Sequence, residues 1–544
     1  MSASNPGHPE GVGGGPLVEG PHDPEHDPRA SYVLEPEYVE TLTRRVLATT
    51  GTTVPLTSPL TGAPLANIPQ SSTDDVAEAY RRARVAQAQW VRVPMAERAA
   101  IMLRLHDLLL DRMPELLDMI TLENGKARKH AYDEVAHTAL TARYYARMSG
   151  KHMATERRGG VIPLATRIDI NHVPKGVVGI ISPWNYPLTM ALSDGLPALM
   201  AGNAVVSKPD AQTMLTALMG LKLMDEAGFP RDLWQVVAGP GRELGGPMIE
   251  RSDYICFTGS TATGKLIAAQ CAERLIGCSL ELGGKNPLLV LRDADVERAA
   301  EGAVRASFSN AGQLCVSTER LFVADQVYDR FVERFVARTK AMSLGATLDW
   351  EVDMGPLISA DQLDTVVAHV DDAVAKGARV LAGGRARPDL APYYYEPTIL
   401  EGVTPDMTCF GHETFGPVVA LYRFHDESDA IARANDGEYG LNCAIFSQDG
   451  ARARAIARQI KCGTVNINEG FGATFGSLAA PMGGMRESGM GRRQGAEGIH
   501  RYTETQSVGT QRFLKLSPQF GLSSEQYAKV QVLALRVMNK LGRA

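Results

Sequence analysis

The sequence predicts an α/β fold built on parallel sheets with helices on both faces. Three observations carry this. Between residues 177 and 257, four short apolar runs (Val177–Ser182, Ala204–Ser207, Trp234–Ala238 and Tyr254–Phe257) each lead into a helical pattern. Strand and helix in alternation close most simply as a parallel sheet covered on both sides. A second alternation starts after Asn286, with Leu288–Val290, helix Val296–Ser309, Arg320–Val323 and helix Tyr328–Met342. Finally, hydrophobic residues make up 44% and charged residues 22% of the 544 positions. That is ordinary globular composition, with enough apolar material for more than one buried core.

The remaining elements follow in chain order. Residues 1 to about 30 are rich in Gly, Pro, His and acids and carry almost no large apolar side chains; such a segment cannot offset its ordering entropy and is expected to be disordered. Apolar residues at three- and four-residue spacing predict helices over Asp74–Gln89, Met95–Arg112 and Asp133–Met148. Ala165–Val173 alternates, with Ile168, Ile170 and His172 against Arg167, Asp169 and Asn171, which predicts a half-exposed strand. Ser524–Leu541 has a helical pattern, with Lys529, Arg536, Lys540 and Arg543 on one face and Val530, Leu533, Val537, Met538 and Leu541 over much of the rest. It is expected to dock on its own subunit or a partner, since so few basic residues make a weak membrane anchor.

Charge and cysteine usage narrow the classes. Fifty-six basic against 62 acidic residues give a formal charge of -6, which disfavours a chain-wide nucleic-acid binder. The seven cysteines are scattered, odd in number and without a CxxC pair. That points to reduced thiols in a cytoplasmic protein rather than a disulfide framework or a metal site. MSASNPGHPEGVGGG lacks an apolar run after a basic start and does not fit a secretory signal. The most apolar stretch, Val177–Val206, is interrupted by Pro183, Asn185, Pro187, Asp194 and Pro197, so no membrane span is expected.

Gly259-Ser-Thr-Ala-Thr-Gly264-Lys265 matches most of a P-loop, but Leu266 stands where Ser or Thr would hold magnesium. What survives is a strand, a Gly-containing turn and a helix over Thr263–Ala272, whose first amides suit a pyrophosphate. Three further segments carry chemistry. In Ile181-Ser-Pro-Trp-Asn185-Tyr-Pro187, two prolines pin an Asn between rigid flanks, as a fixed amide donor requires. Leu280-Glu281-Leu-Gly-Gly-Lys-Asn286-Pro sets a carboxylate at a strand end beside two glycines. Ser309-Asn-Ala-Gly-Gln313-Leu-Cys315 sets a cysteine after a loop, near an expected helix start whose amides would favour thiolate. Singly, each has a plainer reading: a small buried cysteine, a solvated Glu, a Pro-rich turn as punctuation.

Together, and with Gly202-Asn-Ala-Val-Val-Ser-Lys-Pro209, Phe257-Thr-Gly-Ser260, Glu413-Thr-Phe-Gly-Pro417 and Gly483-Gly-Met-Arg-Glu-Ser-Gly489, they resemble the NAD(P)-dependent aldehyde dehydrogenase superfamily from about residue 35 to 510. The resemblance implies two Rossmann-like doubly wound domains and a small β bridge for oligomerisation. The boundaries it suggests are a tail (1–34), a cofactor domain (35–153 and 173–283), a catalytic domain (284–482), the bridge (154–172 and 499–512) and a helical extension (513–544). It implies Cys315 as nucleophile, Asn185 with the Cys315 N–H as oxyanion donors, and Glu281 as the base that activates water, with no metal. For the cofactor it implies Lys208, followed by Pro209, Asp210 and Ala211, at the adenosine ribose, and Gly259 and Ser260 at the pyrophosphate. Trp184 and Leu282 would line the nicotinamide side, and Glu413 would accept from its ribose with Phe415 nearby. A homodimer or homotetramer is expected.

NAD-specific relatives usually place Glu three residues after the ribose lysine; here that position is Ala211. Loss of the carboxylate removes repulsion against a 2'-phosphate, so NADP is favoured over NAD, with Asp210 the residue that could replace the missing acid. Asn466-Ile-Asn-Glu-Gly470 and the long C-terminus are similar to succinate-semialdehyde dehydrogenases. A substrate carboxylate needs a cation, and Arg147 is the candidate, while Ser309 stands where a second arginine is usual. Another aliphatic or aromatic aldehyde is the alternative substrate. An acylating enzyme and a non-catalytic structural protein are both disfavoured, since Glu281, Cys315 and Asn185 are all present.

Overall fold

The computed structural model describes residues 17–18, 33–162 and 165–540. Most of the expected N-terminal tail lies outside the described residues; Leu17–Val18 pairs antiparallel with Val33–Leu34. The chain divides into two compact units, one holding residues up to 152 with 174–502, the other 153–173 with the chain from 503 onward.

The first unit holds two large sheets. In the first sheet, β1 (Val177–Ile181), β2 (Ala204–Lys208), β3 (Trp234–Val236), β4 (Tyr254–Thr258) and β5 (Gly277–Glu281) lie in the order β5-β4-β1-β2-β3, and the short strand Gly489–Met490 adds at the β5 edge. The β1 to β5 pairs are parallel, and Gly489–Met490 is antiparallel to β5. In the second, β6 (Asn286–Val290), β7 (Thr318–Ala324), β8 (Arg379–Ala382), β9 (Thr398–Glu401), β10 (Val418–Phe424), β11 (Asn442–Phe446) and β12 (Thr464–Ile467) run in the order β8-β9-β10-β7-β6-β11-β12. There only the β8–β9 pair is antiparallel. The expected parallel sheets therefore carry an antiparallel strand at one edge each, where the chain arrives without a crossover helix.

The helices form where the apolar spacing placed them. α1 (Thr73–Trp90) starts at a capping box: Ser72 Oγ accepts from Asp75 N at 3.1 Å, and Asp75 Oδ2 accepts from Ser72 N at 2.8 Å. α2 (Met95–Asp111) follows Pro94. α3 (Met113–Asn124) went unforeseen because it is buried nearly all round and has no single apolar stripe; it stops at Gly125, whose φ of 84° is left-handed. α4 (Arg128–His152) begins a turn earlier than its pattern. α5 (Thr261–Glu273) and α6 (Val296–Phe308) follow β4 and β6.

The carboxyl ends of β1, β2, β4 and β5 open on one edge of the first sheet. β1 has β2 on one side and β4 on the other, so the strand order reverses there, which is where open α/β sheets bind ligands. The second sheet presents the amino ends of its strands to the site, since Gly284, Cys315 and Gly416 lie just before β6, β7 and β10.

The second unit is a three-stranded sheet in the order Thr503–Gln511, Thr166–Pro174, Glu156–Gly159, the last two antiparallel. Its last strand starts at 503 rather than 499, because Gly495–His500 is helical. α7 (Ser524–Lys540) forms as expected, yet it buries none of its residues in this chain, and Val532, Leu533 and Leu535 stay exposed.

Candidate active site

Asn185 lies in the turn between β1 and the short helix Pro187–Leu192. The prolines do not fix it alone. Lys126, fully buried, donates to Asn185 O at 2.7 Å and to Glu134 Oε1 at 2.9 Å. Glu134 Oε2 accepts Leu188 N and Thr189 N, at 2.6 and 3.1 Å, and so caps the short helix. Asn185 Nδ2 donates to Gln313 O at 3.1 Å, two residues from Cys315.

The loop carrying Cys315 is held in an uncommon conformation. Asn310 and Ala311 have φ of 52° and 53°, in the left-handed region. At Gly312, φ is 72° and a Cβ would fall 2.0 Å from Gly416 O, so only glycine fits. Asn310 Nδ2 donates to Asn185 O at 3.0 Å, tying this loop to the Asn185 turn. No helix starts at Cys315; the chain passes through a turn directly into β7. The expected helix start is therefore corrected, and with it the helix amides that were to favour thiolate. Burial pushes the thiol up to about 12, with the Arg493 guanidinium the leading charge opposing the rise. Cys315 is partly exposed and packs against a cluster of Tyr186, Met190, Leu314, Val316, Phe471 and Met482.

Glu281 ends β5 and is 5% exposed. Its Oε1 is buried without a hydrogen-bond partner among the described residues. Burial pushes the carboxyl up to about 7, again opposed first by Arg493. Its carbonyl accepts Gly259 N at 3.1 Å, which couples the Gly259 turn to the same strand end.

Glu413 Oε1 accepts Gly284 N at 2.8 Å, and burial pushes its carboxyl up to about 8. A Cβ on Gly283 would fall 2.3 Å from Glu413 Oε2, so glycine is what admits this carboxylate. Glu319, paired with Lys285, accepts Thr414 N at 2.9 Å and Phe415 N at 3.0 Å and holds the Glu413–Phe415 turn. The Phe415 ring meets Trp184 edge to face at 5.5 Å.

Lys208 ends β2, where burial pulls its ammonium down. After Pro209, Asp210 Oδ1 accepts Gln212 N at 3.0 Å and caps the short turn Ala211–Thr213. Ser260 caps α5 through Thr263 N at 3.3 Å. Leu282 packs on Gly264, where a Cβ would lie 2.5 Å from its Cδ2; this explains the second glycine of the P-loop-like run. Lys265 pairs at the surface with Glu487 at 2.7 Å, away from any phosphate role. These residues fit a dinucleotide. A buried ammonium and the amino end of a thirteen-residue helix open on one sheet edge, and Phe415, in the same turn as the Glu413 carboxylate, meets Trp184.

Comparison with known proteins agrees with this arrangement. The model of the aldehyde dehydrogenase family matches residues 46–508. The chain belongs to the aldehyde dehydrogenase family. A relative from Mycolicibacterium smegmatis named "Putative succinate-semialdehyde dehydrogenase", with NADP(+) in its name, is 51% identical over 487 residues, covering 90% of this chain and 94% of the relative. A 3-sulfolactaldehyde dehydrogenase from Pseudomonas putida is 36% identical over 471 residues, covering 85% and 94%. The crystal structure of succinate-semialdehyde dehydrogenase from Burkholderia pseudomallei superposes with a TM-score of 0.82 at 35% identity, covering 85% of this chain and 95% of that one.

In this family member a cavity of about 160 Å³ opens beside the Cys315 cluster, lined by Asp133, His137, Tyr186, Arg305, Phe471 and Phe475 among others. Arg147 does not line it. It is exposed on α4, seven residues past Leu140, the last cavity residue of that helix, and so about 10 Å farther along the axis. The cation at the cavity is Arg305 on α6, one turn before Ser309. It lies 3.9 Å from both Asp133 and Glu469, with its guanidinium over the Phe471 ring at 5.5 Å. Sequence reasoning missed Arg305 because α6 reads as an ordinary amphipathic helix whose charged residues face solvent. It also missed Lys126, Glu134, Asp194 and Arg493, which have no motif around them.

Proposed function

We propose that this chain oxidises succinate semialdehyde to succinate with NADP, through a covalent adduct on Cys315. The observation that supports it most directly is the meeting of Asn185 and Cys315 across the Gln313 carbonyl, together with Glu281, whose buried Oε1 has no hydrogen-bond partner among the described residues. Glu281, poised near neutrality, can take the proton that Cys315 gives up as its sulfur adds to the aldehyde carbon. The oxygen that becomes negative is met by Asn185 Nδ2 and the Cys315 N–H. A bound oxidised nicotinamide would supply the acceptor for the hydride of that carbon. The acyl group then held on Cys315 is a thioester. Once Glu281 has passed that first proton to solvent, it takes a proton from the attacking water and returns it to the departing sulfur, so the carboxylic acid leaves and the thiol is restored.

Lys208, Gly259 and Ser260 would hold the adenosine and phosphate end, and Glu413, Trp184 and Phe415 the nicotinamide end. NADP is favoured because Ala211 offers no carboxylate and Asp210 spends its own on the Gln212 amide. Ala211→Glu is expected to raise the NAD-to-NADP ratio of kcat/KM at least about tenfold, by adding a negative charge against the 2'-phosphate. An unchanged ratio would remove the basis for this cofactor assignment.

A cavity of about 160 Å³ suits a short aliphatic aldehyde. Relatives named for succinate semialdehyde and 3-sulfolactaldehyde point to substrates with an acid group at the far end. Arg305 is placed to pair with such a group. Arg305→Met is expected to raise KM for succinate semialdehyde about tenfold, the lower range for a half-exposed charge-assisted bond, and to leave butanal unchanged. Equal losses for both aldehydes would show that Arg305 does not select the acid. A ranked aldehyde panel tests the substrate assignment itself. Seven unpaired thiols suit the cytoplasm. The exposed apolar residues of α7 suit a homodimer or homotetramer, which sedimentation would check.

A further inference from the structure

Beside Glu281 lies a buried charge cluster that the steps above do not use. In the parallel pairing of β4 with β5, Thr258 stands opposite Glu281 and Cys256 opposite Ser279. These four side chains therefore share one face of the sheet. Two arginines cover that face. Arg493 Nη2 donates to Thr258 Oγ1 at 3.1 Å and to Asp194 Oδ2 at 2.8 Å. Arg501 donates to Ser279 Oγ at 3.1 Å and to Asp194 Oδ1 at 2.6 Å. Arg493 Nη1 also meets Met190 Sδ at 3.3 Å, and Met190 belongs to the cluster against which Cys315 packs. The guanidinium thus touches a neighbour of each of the two catalytic candidates. Arg493 Nε and Glu281 Oε1 are both buried without a partner among the described residues.

Two guanidiniums against the one Asp194 carboxylate leave a surplus of one positive charge, which is costly to bury. An ionised Glu281 cancels it. The other groups around Glu281 do not. Arg492 is partly exposed and donates to the Gly484 and Gly491 carbonyls. Cys315, Cys256 and Tyr502 are all pushed up by burial and stay neutral.

We propose that Arg493, clamped by Asp194 and Thr258, is a positioning residue for the hydrolytic step, whose fixed charge favours the ionised form of Glu281, against the burial that opposes it, when water must give up its proton. This rests on the role proposed for Glu281. The experiment uses the full chain with NADP and succinate semialdehyde, and reads burst amplitude together with the pH profile of steady-state kcat. Arg493→Met is expected to keep the burst, to move the acid limb of kcat up by at least about one pH unit and to cut kcat about tenfold at pH 7. Arg493→Lys should restore the midpoint. Asp194→Asn, which removes the balancing negative charge, should move the limb the opposite way. Where Arg493→Met does not fold, Arg493→Gln, still able to hydrogen-bond Asp194, carries the test. A neutral variant with lower kcat or Tm but an unmoved midpoint would overturn the proposal and leave Arg493 structural. Glu281→Gln separates the two readings. Full steady-state turnover in that variant refutes the Glu281 role itself. Lost turnover with an unmoved limb in Arg493→Met refutes Arg493 alone.

Discussion

Cys315→Ala is expected to abolish aldehyde-dependent formation of reduced cofactor, with a loss on the order of 10⁴-fold or more in kcat. The reason is chemical rather than steric. Cys315 supplies the only sulfur in the cluster formed with Tyr186, Leu314 and Phe471 that can bond to a carbonyl carbon, since the Met190 and Met482 thioethers have no proton to release. The substitution removes one partly exposed sulfur and leaves the Asn310, Asn185 and Gln313 hydrogen bonds in place, so Tm should barely change. The check is single-turnover and steady-state absorbance of the reduced nicotinamide, with melting recorded on the same sample. Measurable burst formation in a folded variant would show that the adduct forms elsewhere.

Glu281→Gln is expected to separate the two halves of the reaction. The first turnover should still release reduced cofactor, though more slowly. Steady-state turnover should fall about 10² to 10⁴-fold, the usual worth of a positioned base. In the unaltered enzyme the acid limb of kcat should centre near pH 7, where burial places this carboxyl. The same shift makes a stability prediction. Because the folded pKa is raised, the protonated native form is favoured, and its contribution is lost as pH rises from the ordinary carboxyl range through about 7. Above that pH the ionised carboxylate is a liability that Gln lacks. Glu281→Gln should therefore melt higher than the parent at pH 8 and no higher at pH 5. Such an exchange of stability for function is typical of a buried ionisable group at an active site. Equal melting at both pH values would mean that Glu281 ionises without cost.

Much of this was legible in the chain. The strands from Val177 to Phe257 are apolar runs buried on both faces, so period and composition alone expose them. α1 announces itself through Ser72 and Asp75. α3 does not, because burial all round erases the stripe that marks a surface helix. The helix start expected near Cys315 failed for a related reason. Whether a cysteine follows or precedes a helix depends on where the next three residues turn, and Val316–Thr318 turn into β7.

The sequence by itself determined the family and the two alternating sheets and singled out Cys315, Glu281 and Asn185 as candidates, because backbone turns, prolines and glycines act over a few residues and leave local marks. Only the tertiary structure decided that Arg305 rather than Arg147 faces the cavity, that Lys126 and Glu134 lock the Asn185 turn, and that Arg493 stands over Glu281. Those are electrostatic choices. They depend on which charges are brought within a few ångströms after residues hundreds of positions apart have lost their water, and no spacing along the chain encodes that.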